Sequence, residues 1–364
     1  MKRSTWVAAV VVGLAGALGG CSNLGDTCQP GGEAVVRSTP IGALAVDEET
    51  VYWTAKPAPG EPQRGEVWRK AKSGGEPERL YQSAEEPIFP FPRLSVDATH
   101  VYWLEMCSRP GITPPCAEVR RVPKAGGTVQ TLVRDRVYMF AVDGDVLYYS
   151  TSNEQQPGLS TAAPSTDGAV WSRPKDGSGS PVALVSNLTR LRDVQVTATH
   201  VYFVADRGTP PGIVGREVWI SRVPKTGGAV ETAALADFAP DAFVLLEQGL
   251  LYLQDRAFYR APLGDTMPEL LTIYFDNDVA GLAVAGDTVY FGDAGKGVSG
   301  GGLDGEGSRY LCGAIRSMPL SGGESKPFAK DQVRPRSLLT DGAMLYWISG
   351  ESDSSFVTIR RARL

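Results

Sequence analysis

Residues 94–133 read LSVDATHVYWLEMCSRPGITPPCAEVRRVPKAGGTVQTLV, and four short apolar runs lie within them, set off by turn formers. Leu94 and Val96 alternate up to Asp97, and after Ala98-Thr99-His100 comes Val101-Tyr102-Trp103. A long variable segment leads to Val119-Arg120-Arg121-Val122-Pro123, and Lys124-Ala125-Gly126-Gly127 turns into a last run. Runs of β-branched and aromatic residues bounded by Gly, Pro or Asp read as strands. The unit therefore predicts four antiparallel strands, here called a, b, c and d in chain order.

The unit recurs. Strand b returns as Val51-Tyr52-Trp53, Leu147-Tyr148-Tyr149, Val201-Tyr202-Phe203, Leu251-Tyr252-Leu253, Val289-Tyr290-Phe291 and Leu345-Tyr346-Trp347. Pro closes strand c at Pro123, Pro174, Pro224, Pro262 and Pro319. A Gly pair follows at Gly74-Gly75, Gly126-Gly127, Gly227-Gly228 and Gly322-Gly323.

Four-stranded units repeated every 40 to 50 residues or so are the signature of a β-propeller. One such sheet cannot bury both its faces, whereas blades packed around an axis cover one another. The expectation is an all-β, seven-bladed β-propeller of four-stranded antiparallel blades, with six blades as the alternative. The last unit has strands a, b and c and then ends at Leu364, while Ala34-Val35-Val36-Arg37-Ser38 precedes the first full unit. That N-terminal strand is expected to complete the last blade and close the ring. Blade 5, over residues 242–273, is the shortest.

The VYW strands and the pattern V-x-R-V-P-K-x-G-G resemble the YWTD repeats of LDL-receptor class B propellers and related bacterial repeat lipoproteins. Tyr52-Trp53-Thr54 comes nearest to the motif, with Ala55 in place of its Asp. The resemblance implies a propeller, of six blades in that family, and no particular activity.

Lys2-Arg3, an uncharged stretch over residues 6–20 and then Leu18-Gly19-Gly20-Cys21 read as a secretory signal. About fifteen apolar residues are too few to span a bilayer. Cys21 after Leu-Gly-Gly resembles a lipobox, whose Cys carries the lipid; the plainer reading is an ordinary signal peptide with an incidental Cys. The expected organisation is a signal peptide over 1–20, a lipidated tether over 21–33 and the propeller over 34–364. Ser22 stands where an Asp would mark inner-membrane retention, so the expected address is the bacterial cell envelope, at the outer membrane. Several acyl chains give stable anchoring where one does not.

The net charge is −5, and −7 once Lys2 and Arg3 are removed with the signal. Nucleic-acid binding, which asks for a basic stripe, is thereby disfavoured. Beyond Cys21 lie Cys28, Cys107, Cys116 and Cys312. An even number in an exported chain suggests disulfides, with three connectivities open. Cys107 and Cys116 bracket one loop, which favours a bridge between them. Cys28 and Cys312 follow only by elimination.

In such a blade the a–b and c–d turns share one face of the disc, and the b–c loops and d–a links share the other. Here the a–b and c–d turns are tight, while the b–c segments are long and unlike one another. Variation confined to one face marks a binding side. Strand d starts on the tight-turn side, so the tether is expected to enter there, with the b–c loops pointing away from the membrane. This also counts against Cys28–Cys312, which would join opposite faces unless some 20 Å of extended chain ran around the rim.

Chemistry is sparse. His100 and His200 occupy the same turn position in two repeats, so neither a His-based metal centre nor a Ser-His-Asp triad has members. Gly295-Lys296-Gly297-Val298-Ser299-Gly300 fits G-x-G-x-x-G but opens no helix. Asp293, Asp304 and Glu306 sit on a Gly-rich segment and are the candidate ligand-binding residues. Flexible carboxylates of this kind can gather around calcium, although a solvated loop is the simpler reading and no cofactor is expected otherwise. Glu105, Glu154, Asp206, Asp255 and Asp293 each follow a b strand and could converge over the channel.

The reading reached is a monomeric, lipid-anchored binding or scaffolding module that meets a protein, peptide or glycan partner through its b–c loop face, with no catalytic residue assigned. The alternative is a hydrolase or lyase built on carboxylates at the channel mouth, which needs two acids about 5 to 10 Å apart. A structural envelope protein is the third possibility.

Overall fold

The computed structural model describes residues 28, 30–56, 64–84, 93–107, 116–152, 166–189, 191–206, 218–236, 240–262, 267–274, 277–295, 297–298, 309–310, 312–350 and 357–364. These form seven four-stranded antiparallel sheets, and no helix occurs among them. Strands a to d of blade 1 are Ile41–Val46, Thr50–Ala55, Glu66–Ala71 and Glu78–Gln82. Blade 2 has Leu94–Val96, His100–Cys107, Cys116–Pro123 and Gln130–Asp135. Blade 3 has Val137–Asp143, Val146–Thr151, Gly168–Pro174 and Val182–Leu188. Blade 4 has Val194–Val196, His200–Asp206, Val218–Pro224 and Glu231–Ala236. Blade 5 has Ala242–Leu246, Gly249–Gln254, Ala257–Pro262 and Glu269–Ile273. Blade 6 has Val279–Ala285, Thr288–Asp293, Gly313–Pro319 and Lys326–Gln332.

Blade 7 takes strands a to c from Arg336–Thr340, Met344–Ser349 and Val357–Arg363, and its strand d is Glu33–Ser38. Glu33 pairs with Arg361 and Ser38 with Val357, so the two ends of the chain are sewn into one sheet.

The core is a set of layers between blades. Seven clusters of buried residues occur, one at each blade junction, including the one between blades 7 and 1. Strand b supplies both sides, because successive side chains point to opposite faces. Tyr52 faces blade 2 while Trp53 faces blade 7, and Tyr102 and Trp103 repeat this one blade on. Both members of the second pair are fully buried, so Tyr102→Ala should cost about 3–5 kcal/mol.

Blade 5 departs from the sequence alignment. Arg69 lies opposite Tyr52, and its counterpart Arg260 lies opposite Leu251, not Tyr252. The repeat in blade 5 is therefore Leu250-Leu251-Tyr252, one residue earlier than the recurring tyrosine suggests. A slip of one residue reverses the face. Leu251 accordingly packs toward blade 6, and Tyr252 toward blade 4.

The path before strand d of blade 7 corrects the expected entry point. Strand d does begin on the tight-turn face, but the chain reaches it from the other face. Cys28 is disulfide-bonded to Cys312, with Cα atoms 5.6 Å apart. Cys312 precedes Gly313, which pairs with Gln332 at the b–c end of blade 6. The Gly31 amide then donates to the Lys330 carbonyl at 3.0 Å, and Gln332 Nε2 donates to the Gly31 carbonyl at 2.9 Å. Arg360 Nη1 donates to the carbonyls of Pro30 and Gly32 at 3.0 and 3.1 Å. At Gly32 the chain reverses with φ of +83°, where a Cβ would lie 2.6 Å from the Trp347 ring. The bridge that joins opposite starting faces is thus made by a short descent along the outside of blade 6.

Candidate functional site

The b–c face has the axial mouth at its centre, because the first strands of neighbouring blades meet around the axis. Arg93, just before strand a of blade 2, reaches across this mouth. Its Nε donates to the Phe140 carbonyl at 3.1 Å, Nη1 to Asp193 Oδ1 at 3.2 Å and Nη2 to the Val194 carbonyl at 3.1 Å. Gln195 Nε2 continues the chain, donating to Asp193 Oδ2 at 3.1 Å and to the Phe243 carbonyl at 2.9 Å. Blades 2, 3, 4 and 5 are tied together in this way by groups that are nearly all buried. Burial pushes the Arg93 pKa down, and Asp193 partly restores it. Arg93 and Asp193 precede strand a at the same place in their units, but different residue types stand there, so the repeat does not mark this knot in the sequence.

Of the five acids expected over the channel, those among the described residues do not converge at that mouth, and Glu105, Asp206 and Asp293 lie within their b strands. Glu105 is buried between blades 1 and 2, where it accepts from Tyr81 Oη at 3.1 Å and Trp103 Nε1 at 3.2 Å and lies 3.3 Å from Arg120. Burial raises its pKa, against the pull of Arg120. Asp206 holds the edge of its blade through its amide, which donates to the Thr189 carbonyl at 2.9 Å. Asp255 is exposed on the two-residue b–c turn of blade 5. Glu154 lies outside the described residues. Among the described residues no group of three or more His, Cys, Asp or Glu could hold a metal ion.

Asp293 is tied down. It is 5 % exposed and accepts from Tyr274 Oη at 2.6 Å, Asn277 Nδ2 at 2.7 Å and the Gly295 amide at 2.9 Å. These bonds fasten the link between blades 5 and 6 to the start of the next b–c connection. A small two-stranded ladder, Gly297–Val298 with Arg309–Tyr310, follows it. Asp304 and Glu306 lie outside the described residues, as does Cys21. Cys107 and Cys116 are register partners at the ends of strands b and c of blade 2; their side chains lie outside the described part of the structure.

The opposite face is built differently. Lys124 Nζ of blade 2 is 2.5 Å from Asp47 Oδ2 of blade 1, and Lys175 Nζ of blade 3 is 2.9 Å from Asp97 Oδ2 of blade 2. Lys225 pairs with Asp143, and Lys72 with Asp341, in the same sense. Tyr52, Tyr102 and Tyr346 each donate to the Asp of their own blade. Arg121 Nη1 and Arg361 Nη1 add bonds to the carbonyls of Lys175 and Lys72, at 2.7 and 2.9 Å. His100 and His200 open their b strands on this face, each with Nδ1 2.8 Å from the hydroxyl of the preceding Thr. They are turn residues.

With the geometry established, the comparisons bear on the fold. The β-propeller domain of the Trilobed protease from Pyrococcus furiosus aligns with a TM-score of 0.56 at 10% identity, over 90% of this chain and 97% of that one. That domain has an open velcro topology, whereas here blade 7 joins both termini in one sheet. Acylaminoacyl peptidase of Pyrococcus horikoshii aligns with a TM-score of 0.54 at 11% identity over 85% of this chain, which spans about half (49%) of the peptidase chain. The extracellular domain of a hybrid two component system from B. thetaiotaomicron gives 0.54 at 9% identity, over 92% and 40% of the two chains. At such identities the likeness is one of fold. No family model matches the chain, and no curated protein matches it. The protein is a seven-bladed β-propeller, and the likeness of its strands to YWTD repeats has no family match behind it.

Proposed function

We propose that this chain is a binding module, tethered to the bacterial outer membrane through a lipid on Cys21, whose b–c loop face receives a protein, peptide or glycan partner. One observation carries the reading. The tight-turn face is committed to holding blades together through Lys–Asp pairs and Arg–carbonyl bonds, whereas the b–c connections differ in length and composition from blade to blade. A rigid scaffold with variable loops on one side is an arrangement suited to recognition. Glu105 and Asp293, two of the acids expected at the channel mouth, are engaged in hydrogen bonds that hold the fold, which favours binding over carboxylate catalysis.

The test is site-specific photocross-linking in intact cells. A photoreactive amino acid at position 255, on the b–c turn of blade 5, should yield a discrete adduct. The same group at position 125, on the c–d turn of blade 2, should yield none. Adducts from position 125 alone would refute the reading.

A further inference from the structure

We infer that the Cys28–Cys312 bridge is a redox-sensitive latch on the ring: a dithiol reductant opens it and frees the closing strand, Glu33–Ser38, from blade 7. Closure depends on that strand, because the other three strands of blade 7 come from the C-terminal end of the chain and blades 1 to 6 each keep four of their own. Both cysteines are half-buried, so the bridge stays within reach of an attacking thiolate. In the exchange the dithiol gives up two electrons and two protons and becomes a disulfide, while Cys28 and Cys312 become thiols.

The strand is lightly held. Of its six residues Val35 and Val36 are buried, and they pack with Trp53, Val357 and Ile359 between blades 7 and 1. Glu33, 60 % exposed, pairs with Arg361 at 2.7 Å, and an ion pair so open to solvent contributes little. Lys70 Nζ donates to the Val35 carbonyl at 2.8 Å, and Trp53 Nε1 to Ser38 Oγ at 3.2 Å. Elements with few buried apolar contacts open well below global unfolding. The bridge decides what such an opening yields. Beyond the strand, the Lys56 amide holds the Pro40 carbonyl at 3.0 Å. With the bridge intact, residues 28–40 are fixed at both ends, and a strand that leaves blade 7 becomes a closed loop. With the bridge reduced it becomes a free chain terminus. The entropy denied to a closed loop of this length and returned to a free end raises the opening equilibrium on the order of 100-fold. Opening bares the edge of strand c, Val357–Arg363, and the apolar surface that Val35 and Val36 cover. The bonds of Pro30, Gly31 and Gly32 to Arg360, Lys330 and Gln332 are lost with it. The other strands keep their partners, so the change is confined to one blade.

The experiment is amide hydrogen exchange of the full-length chain, read by mass spectrometry before and after treatment with dithiothreitol. Expected in the reduced protein is exchange about 100-fold faster over residues 33–38, with acceleration also over residues 357–363 and none over residues 137–143 of blade 3. The double variant Cys28→Ser with Cys312→Ser retains Cys107 and Cys116. It should show the fast exchange without dithiothreitol and no further change with it. Unchanged exchange over residues 33–38 on reduction overturns the latch. Acceleration spread evenly over all seven blades also overturns it, because the bridge would then support the whole ring. A double variant that exchanges like the oxidised parent traces the effect of the dithiol to other cysteines and overturns it as well.

Discussion

Lys124 of blade 2 and Asp47 of blade 1 meet at 2.5 Å across a blade junction, 77 residues apart in sequence. At six of the seven junctions the position they share is ionic on both sides or apolar on both sides; between blades 4 and 5 the Asp is replaced by Thr197, and the residue facing it lies outside the described residues. Pairs 78 and 82 residues apart repeat the contact at the next two junctions. Between blades 5 and 6 the same two places hold Leu246 and Leu320, which belong to one apolar cluster. Between blades 6 and 7 they hold Ala285 and Leu364, again in one cluster. A partly buried charge left without its partner is costly, whereas an apolar pair of similar volume is tolerated.

This rule predicts a swap. Lys175→Leu alone should destabilise by about 1–3 kcal/mol, because Asp97 then keeps its burial and loses its ammonium partner. Adding Asp97→Leu should recover most of that loss. Urea unfolding of the two single variants and the double variant measures the coupling; strict additivity would contradict the paired reading.

The pH dependence follows from the same carboxylates. Burial works against ionisation of Asp97, but hydrogen bonds from Lys175, the Thr99 and His100 amides and Tyr102 outweigh it and hold the pKa below the ordinary 3.8. Asp47 and Asp341 are lowered in the same way, with Lys124 and Lys72 as their partners. A depressed folded pKa contributes stability that is present above the unfolded value and lost as pH falls through the folded one. The melting temperature should therefore drop below about pH 4, and less steeply in Asp97→Asn. Glu105 has the opposite sign, because burial raises its pKa and that contribution is lost as pH rises. Glu105→Gln should gain on the parent chain between about pH 4 and pH 7. A constant difference across that range would argue against the buried carboxylate.

Arg93 is expected to be the most sensitive polar residue of the ring. Arg93→Met takes the cation from Asp193, which keeps its bonds from the Val194 amide and Gln195, and leaves two carbonyls without their arginine donor, at a cost of about 3–5 kcal/mol. Arg93→Lys should recover little, since one ammonium cannot replace a planar fork of donors aimed at three acceptors. A urea midpoint within error of the parent for either variant would show that the knot is dispensable.

Asp293 should behave as an anchor. Asp293→Ala removes the acceptor of Tyr274, Asn277 and the Gly295 amide and should cost about 1–3 kcal/mol. The loss should be the same in calcium and in EDTA. A loss that appears only in calcium would instead make Asp293 a ligand.

The architecture was legible because the repeat is written in period-two strands and in turn chemistry, both of which are local signals. The b strands, the prolines that close strand c and the Gly pairs at positive φ all stand where the periodicity puts them. The slip in blade 5 escaped because the eye follows tyrosine, whereas register follows cross-strand pairing with Arg260. The Lys–Asp pairs were present in the sequence as residues that change together between units, but their meaning needs the neighbouring blade. Arg93 left no trace at all, since one residue serving three acceptors on other blades makes no pattern. The route of residues 28–32 was missed because strand d has a clear start, and nothing in Gly31-Gly32 says that the chain arrives there from the far face.

Amide hydrogen exchange tests the central claim most directly, comparing the protein in its native membrane with the same protein after detergent extraction. If the b–c face is the working surface, peptides covering the turn at residues 254–257 gain protection in the membrane, while those covering the turn at residues 123–127 exchange alike in both states. Protection gained at residues 123–127, with residues 254–257 unchanged, would assign the interaction to the opposite face and contradict the account.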